Sequence, residues 1–513
     1  MSFIHSADMA VSRRLLHPAA AALFLLLSSP AAAASAPSVR EQKLGAYPTE
    51  IGATAITPDG RHVAFVSYDK NGSGGQWVLV LDGKELGRLS DFYPKSNAKG
   101  NKLVLSADGK HVAAAGGYNT NDVVILDGVI QPAYDQVDNP VFSGDGSRFA
   151  YEAKKDGKWF MVLDGKAQPS HGDVAKLIFS PDGKRTAYRA WTDSKAKMTM
   201  VVDDKTGPEF DDVDEPIFSP DSKRVAYNAK RGDRWLVNLD GYGGPEYDDV
   251  NYFLFSPDGK HSAYAAKKGK QWLVVEDGKE LDGLYEALSD LTFSAAGRHL
   301  AFVANQGTQW FVVEDGKPAQ AYEDLLPGAP VFDPSGEILS YGALALGKWH
   351  MVIGDRNGPE VEGLDKVIYS ADGKRSAYWA KKAGRYEVVS DGREGQLYDG
   401  VGGGALTFSP DGAHLAFVVV NGHWYSLVVD GKEDPDFEVV DGTSVRFSPD
   451  GNHYAYDAIK GGRDMLVVDG QVVLTYDVII RGGPTFRPDG SLELLIVRDK
   501  TLYRATLTGI TTR

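Results

Sequence analysis

The carboxylates are the residues whose types and spacing could do chemistry. Glu209, Asp211, Asp212, Asp214 and Glu215 crowd the chain just before an apolar run at Ile217, and Asp248-Asp249 follow. Counting seven residues back from a recurring Pro-Asp-Gly turn places Asp138, Asp214, Asn251 and Asp365 in one phase. Acceptor oxygens in one phase, if brought together, could hold a cation or a basic partner. The alternative is that they solvate a rim and discourage edge pairing, as charge runs commonly do.

Two other residue types invite a chemical reading. Six of the eleven histidines, His62, His111, His261, His299, His414 and His453, fall just after the same turn. That regular phase marks them as part of a repeat. Imidazoles spread evenly along a chain do not by themselves converge on a metal. Seven of the nine tryptophans (Trp77, Trp159, Trp235, Trp272, Trp310, Trp349 and Trp424) fall in a common third apolar run, where packing is the expected role. Trp191 and Trp379 break that phase and are the tryptophans expected to be exposed for contact. The chain has no Gly-x-Ser-x-Gly elbow, no His-Glu-x-x-His, no P-loop and no EF-hand loop. With no cysteine there is no disulfide, thiolate site or cysteine nucleophile. No metal, catalytic residue or cofactor is expected.

These residues must be positioned by a repeat. A clean copy runs from Tyr247 to Lys279. It holds three apolar runs, Tyr252 to Phe255, Ser262 to Ala265 and Trp272 to Val275. They are closed in turn by Ser256-Pro257-Asp258-Gly259, Lys267-Lys268-Gly269 and Asp277-Gly278. Pro presets φ and Gly accepts the positive φ that follows. Asp-Gly between apolar runs predicts a hairpin. With a fourth run leading into the next copy, the unit is a four-stranded antiparallel meander of roughly forty residues, the size of a propeller blade.

The third position of the first turn counts twelve copies: Asp59, Asp108, Asp145, Asp182, Asp221, Asp258, Ala296, Ser335, Asp372, Asp411, Asp450 and Asp489. Six residues further on comes an aromatic, such as Tyr151, Tyr264 or Phe417, usually preceded by Ala. One sheet cannot bury both faces alone, so blades must stack.

The motif Phe-Ser-Pro-Asp-Gly-Lys followed by Ala-Tyr/Phe, seen from Phe179 to Tyr188 and from Phe255 to Tyr264, resembles the PD40, or WD40-like, repeat family of the TolB propeller. The match extends, with Ala for Lys, to Phe408 to Phe417. The resemblance covers nearly all of the chain after residue 36. It implies a propeller and an envelope-side binding platform. Nothing here corresponds to the α/β domain of TolB-like proteins or to the hydrolase domain of prolyl-oligopeptidase-like enzymes.

The expectation is therefore an all-β fold, a β-propeller of twelve four-stranded blades. On the usual size of rings these form two tandem six-bladed rings, with one large twelve-bladed ring as the alternative. Residues 37–278 would hold blades 1–6 and residues 279–513 blades 7–12. The run Tyr47 to Ile51 would act as a closing strand. Residues 1–36 read as a signal peptide, with Arg13-Arg14, a short apolar stretch from Ala19 to Leu27 and the cleavage site Ala32-Ala33-Ala34. Ser12-Arg13-Arg14 also partly matches a twin-arginine signal. A net charge of -15 argues against nucleic acid. The functional expectation is a periplasmic or secreted, non-enzymatic monomer. It binds a protein or peptide and has no membrane insertion after signal cleavage. Alternatives are a propeller enzyme acting on polysaccharide at the channel mouth and an assembly factor of an outer-membrane complex. The candidate binding residues are Asp138, Asp214, Asn251, Asp365, Trp191 and Trp379.

Overall fold

The computed structural model describes residues 38–47, 50–70, 75–92, 102–404, 406–480 and 483–510. The signal segment expected at residues 1–36 lies outside them. Every regular element among the described residues is a strand, and the strands pair into twelve antiparallel sheets. In the sixth, Asp249–Phe255, Ser262–Lys268, Gln271–Glu276 and Lys279–Glu280 pair in sequence order.

The turns show why the motif makes these strands. Ser256 Oγ–H donates to Asp258 Oδ1 at 2.6 Å, and the same Oγ accepts the His261 N–H at 2.9 Å. Ser thus ties both ends of the turn, while Gly259 takes φ +74. The third turn has two successive left-handed residues, Asp277 at φ +47 and Gly278 at φ +76. That is the type I′ geometry Asp-Gly favours, and its twist matches the flanking strands.

In the eighth blade the turn reads Asp333-Pro334-Ser335-Gly336, with Ser and Asp exchanged. The contact survives in reverse, because Ser335 Oγ–H donates to Asp333 Oδ2 at 2.6 Å. Asp333 also takes over the closing role, accepting the Ile338 N–H at 2.8 Å.

Packing occurs between blades. Eleven apolar clusters each join one blade to the next in chain order, and a twelfth joins blade 12 to blade 1. Tyr264 packs against Val237 of blade 5, and Ala263 on the opposite face packs against Phe302 of blade 7. The small Ala lets neighbouring sheets approach, so the large aromatic interdigitates.

The last cluster corrects the two-ring expectation. Val63 and Phe65 of blade 1 pack on Leu495 and Val497 of blade 12, and blade 6 packs on blade 7 through Ala265 and Leu300. The contacts form one cycle of twelve blades. The expected boundary between residues 278 and 279 falls inside a hairpin, where Glu276 pairs with Lys279. Blade 6 already has its own fourth strand, so no vacancy remains for an N-terminal one.

The closing strand also sits earlier than expected. Ser38–Ala46 pairs with Thr501–Thr508 and completes blade 12, while Ile51–Ile56 opens blade 1. The pairing covers what would otherwise be an open sheet edge. Glu41 strengthens it, accepting from Arg498 Nη1 at 3.1 Å.

Candidate functional site

The first strand of each blade faces the axis. First strands of neighbouring blades touch, as Ile51–Ile56 touches Leu103–Leu105 and Asp249–Phe255 touches Ala287–Phe293. Most fourth strands, by contrast, are two exposed residues, such as Lys279–Glu280. The first strands are not regular. Their register slips between Asp138 and Val141, Ala175 and Ile178, Asn251 and Leu254, and Ser289 and Thr292. Each slip carries a left-handed residue: Asn139 (φ 47), Lys176 (φ 59), Tyr252 (φ 56) and Asp290 (φ 54). Such bulges re-aim side chains.

Of the expected acidic-phase residues, Asp138 and Asn251 lie at these bulges, Asp214 and Asp365 lie where the first strand is interrupted, and the four do not converge. Asp138 is only 2% exposed. It pairs with Lys102 of the preceding blade and accepts from Gln136 Nε2 at 2.6 Å. Asp214 accepts from Asn228 Nδ2 at 3.0 Å. Asp365 is exposed, and its carboxylate accepts the adjacent Lys366 N–H at 2.8 Å. Asn251 is exposed on the strand opposite Ala265. Among the described residues no group of three or more His, Asp or Glu is placed to hold a metal ion. Part of the acidic phase instead fastens one blade to the next. Lys102 reaches Asp138, the Lys176 N–H donates to Glu152 at 3.1 Å, and Lys176 Nζ donates to Glu215 at 2.5 Å.

The tryptophan expectation is overturned. Trp379 is 9% exposed and packs edge-on against Phe417 with ring centroids 5.3 Å apart. Trp191 is half-buried against the cluster between blades 4 and 5, and the Arg189 guanidinium lies over its ring at 5.8 Å. Shifting phase by one residue turns a side chain to the other face of a sheet. In a closed ring both faces are interfaces, so breaking phase does not bring exposure. Trp424, grouped with the packing tryptophans, is 43% exposed. Its neighbour Tyr425 occupies the repeat position and bridges to Phe437, as Trp272 bridges to Tyr285.

The histidines are held in the blades. Each of the six after the first turn faces the Asp of its own blade's third turn, as His62 faces Asp82 at 2.6 Å and His299 faces Asp315 at 2.7 Å.

The side chains that do come together line a cleft of about 530 Å³ on the axis-facing side of blades 4, 5 and 6. Asp214, Glu215 and Ile217 form one wall and Tyr252 and Phe253 another, with Arg189, Tyr227 and Asn228 also lining it. Ile217 is 40% and Tyr252 54% exposed, large apolar side chains left open on adjacent blades. Burial pushes the Tyr227 hydroxyl up to about 12, so it stays protonated. Arg189 Nη1 donates to Val213 O at 3.4 Å, which ties blade 4 to blade 5. The carboxyls of Asp457 and Glu387, raised first of all by burial, lie in other blades. A second cleft, of about 380 Å³, opens between blades 9 and 10 beside Arg375, Tyr398 and Phe417.

The sequence reading located Asp214 but missed Arg189, Ile217, Asn228 and Tyr252. A signal existed. Seven residues after the turn Asp, blades 1, 2 and 6 place Val66, Ala115 and Ala265, while blades 3 to 5 place Glu152, Arg189 and Asn228. Three successive polar residues at a position otherwise mostly apolar mark a stretch built for something besides packing.

No protein-family model matches the chain, and no curated protein matches it. Among solved structures it is similar to a eukaryotic initiation factor, at 14% identity over 70% of this chain and 97% of that one, with a TM-score of 0.33. It is also similar to the β-propeller domain of the Trilobed protease from Pyrococcus furiosus (14% identity, 61% of this chain and 96% of that one, TM-score 0.25). TolB from Acinetobacter baumannii is a third (14% identity, 50% of this chain and 77% of that one, TM-score 0.22). At these scores the likenesses carry no argument, and the twelve-blade assignment rests on the strand pairings.

Proposed function

We propose that this protein is an exported, non-enzymatic propeller of PD40-like repeats that binds a protein or peptide partner at the cleft of blades 4 to 6. The observation that carries this reading is the exposure of Ile217 and Tyr252 side by side on axis-facing strands. Apolar side chains left open in a concave site, with polar groups around them, favour binding. A catalytic reading needs carboxylates free to act on a reacting atom. Here Asp214 is engaged by Asn228 and Glu215 by Lys176.

Export rests on residues 1–36, whose charged start, short apolar stretch and small-residue site fit a cleaved signal. Among the described residues no helix is long and apolar enough to cross a membrane. A periplasmic setting suits the repeat's resemblance to the TolB propeller.

The test is affinity capture from envelope extracts with the wild-type protein and with Ile217→Asp and Tyr252→Ala. A partner retained by wild type and lost by both variants supports the reading. Partners retained equally by all three overturn the assignment of this cleft.

A further inference from the structure

Resting on that reading, we propose that the cleft holds an extended peptide segment. Asn228 and Arg189 would meet one of its peptide groups, an apolar side chain would lie against Ile217 and Tyr252, and a basic side chain would lie beside Asp214.

The polar floor sets the ligand's chemistry. A carboxylate can only accept, so the Asn228 amide must turn its NH₂ to Asp214, as it does at 3.0 Å. That leaves Asn228 Oδ1 as an acceptor, and among the described residues it has no partner. Arg189 Nε is an equally unpartnered donor. Leaving buried polar atoms unmatched is costly, so each marks a place where a bonding group belongs. The two occupy the same repeat position in adjacent blades, and both residues line the cleft. A peptide group supplies one acceptor and one donor in fixed relation. Both atoms are sealed from solvent, so a ligand reaches them by turning side chains that are only half-buried.

The wall sets the side chains. Tyr252 is held at φ +56, a conformation an aromatic residue rarely adopts. Asn139, Lys176 and Asp290 take the same conformation at the bulges of other blades, and here the bulge carries an aromatic ring. It presents the ring beside Ile217 and Phe253 as an apolar seat. Asp214, together with a net charge of -15, favours a cationic neighbour on the ligand.

The probe is an array of acetylated hexapeptide amides alternating Lys with Leu, Ile, Val or Phe, read against the full-length protein. Titration of the best member follows, in parent form and with each peptide nitrogen methylated in turn. Methylation at one position should weaken binding about tenfold, the size of one charge-assisted or buried hydrogen bond. That loss should vanish in Asn228→Ala, which no longer offers the acceptor. Arg189→Lys should weaken the parent about tenfold. The methylated series needs no variant, so misfolding of a substituted chain cannot mask the result. Absence of binding by every hexapeptide, indifference to methylation at all positions, or binding of maltohexaose instead overturns the proposal. If captured partners still depend on Tyr252 while the peptides fail, only the peptide mode falls and the binding reading stands.

Discussion

His261 Nδ1 lies 2.7 Å from Asp277 Oδ2, and the other oxygen of that carboxylate accepts the Ser262 N–H at 2.9 Å. One side chain from the third turn thus clasps the start of the second strand. The pattern recurs in six blades with His, and in four more with Arg, as Arg148 reaches Asp164 and Arg375 reaches Asp391. His and Arg share the clasp because both place a ring or guanidinium N–H against a carboxylate.

The clasp has a pH signature. The bond to Asp277 raises the His261 pKa above its ordinary value of 6.5, and the bond to Asp315 does the same for His299. A raised folded value means stability that is complete below about 6.5 and is lost as pH rises through the folded value. Urea midpoints of wild type and of His261→Gln/His299→Gln, taken between pH 5.5 and 9, should converge as pH rises. A gap that widens toward alkaline pH would refute the assignment.

Buried aromatics on both faces of a blade should matter alike. Tyr264→Ala and Trp379→Ala should each cost about 3–5 kcal/mol, the range for large aromatic truncation in a core. Trp424→Ala should cost about 0.5 kcal/mol or less, as exposed substitutions do. Urea unfolding of the three variants measures this directly.

The exchanged turn of blade 8 invites a double-mutant cycle. Asp333→Ser and Ser335→Asp should each destabilise by about 1–2 kcal/mol, because each breaks the Ser335–Asp333 bond. The double variant restores the Ser-Pro-Asp-Gly order of blades 4, 6, 10 and 11 and should recover most of that loss. Additive losses would mean that the two positions act independently.

Ring closure can be tested by division. Residues 37–278 and 279–513, expressed apart, should each aggregate, because each arc exposes two apolar blade faces. Co-expression should restore a soluble particle. Two soluble, cooperatively melting halves would contradict the single cycle.

Much of this fold could be read from local chemistry. The Ser-Pro-Asp-Gly and Asp-Gly turns and the Ala-Tyr phase define each blade, because those choices act within a few residues. The number of rings was not legible. Spacing is identical whether Leu495 packs against Phe65 or elsewhere, and only the contact between them decides. The same limit hid the fate of the acidic phase. Asp138 meets Lys102 and Glu215 meets Lys176 across blade boundaries, and no local pattern announces those partners. Trp379 misled for the related reason that a two-sided interface has no outer face.

The strand Ser38–Ala46 belongs to the same sheet as Thr501–Thr508, and the side chains of Ser38 and Thr508, 470 positions apart in the chain, meet at 2.7 Å. Blades 1 to 11 can form in the order in which the chain is made, each from its own neighbours. The twelfth cannot, since its outer strand precedes blade 1 in the chain while that strand's partner follows blade 11. Until Thr501–Thr508 exists, Ser38–Ala46 waits unpaired and blade 1 keeps one apolar face open. The slow step of folding should therefore be this single long-range joining, in keeping with the slowness of non-local pairing. A chain released before that step would be nearly all folded and yet the form most prone to join a neighbour end to end.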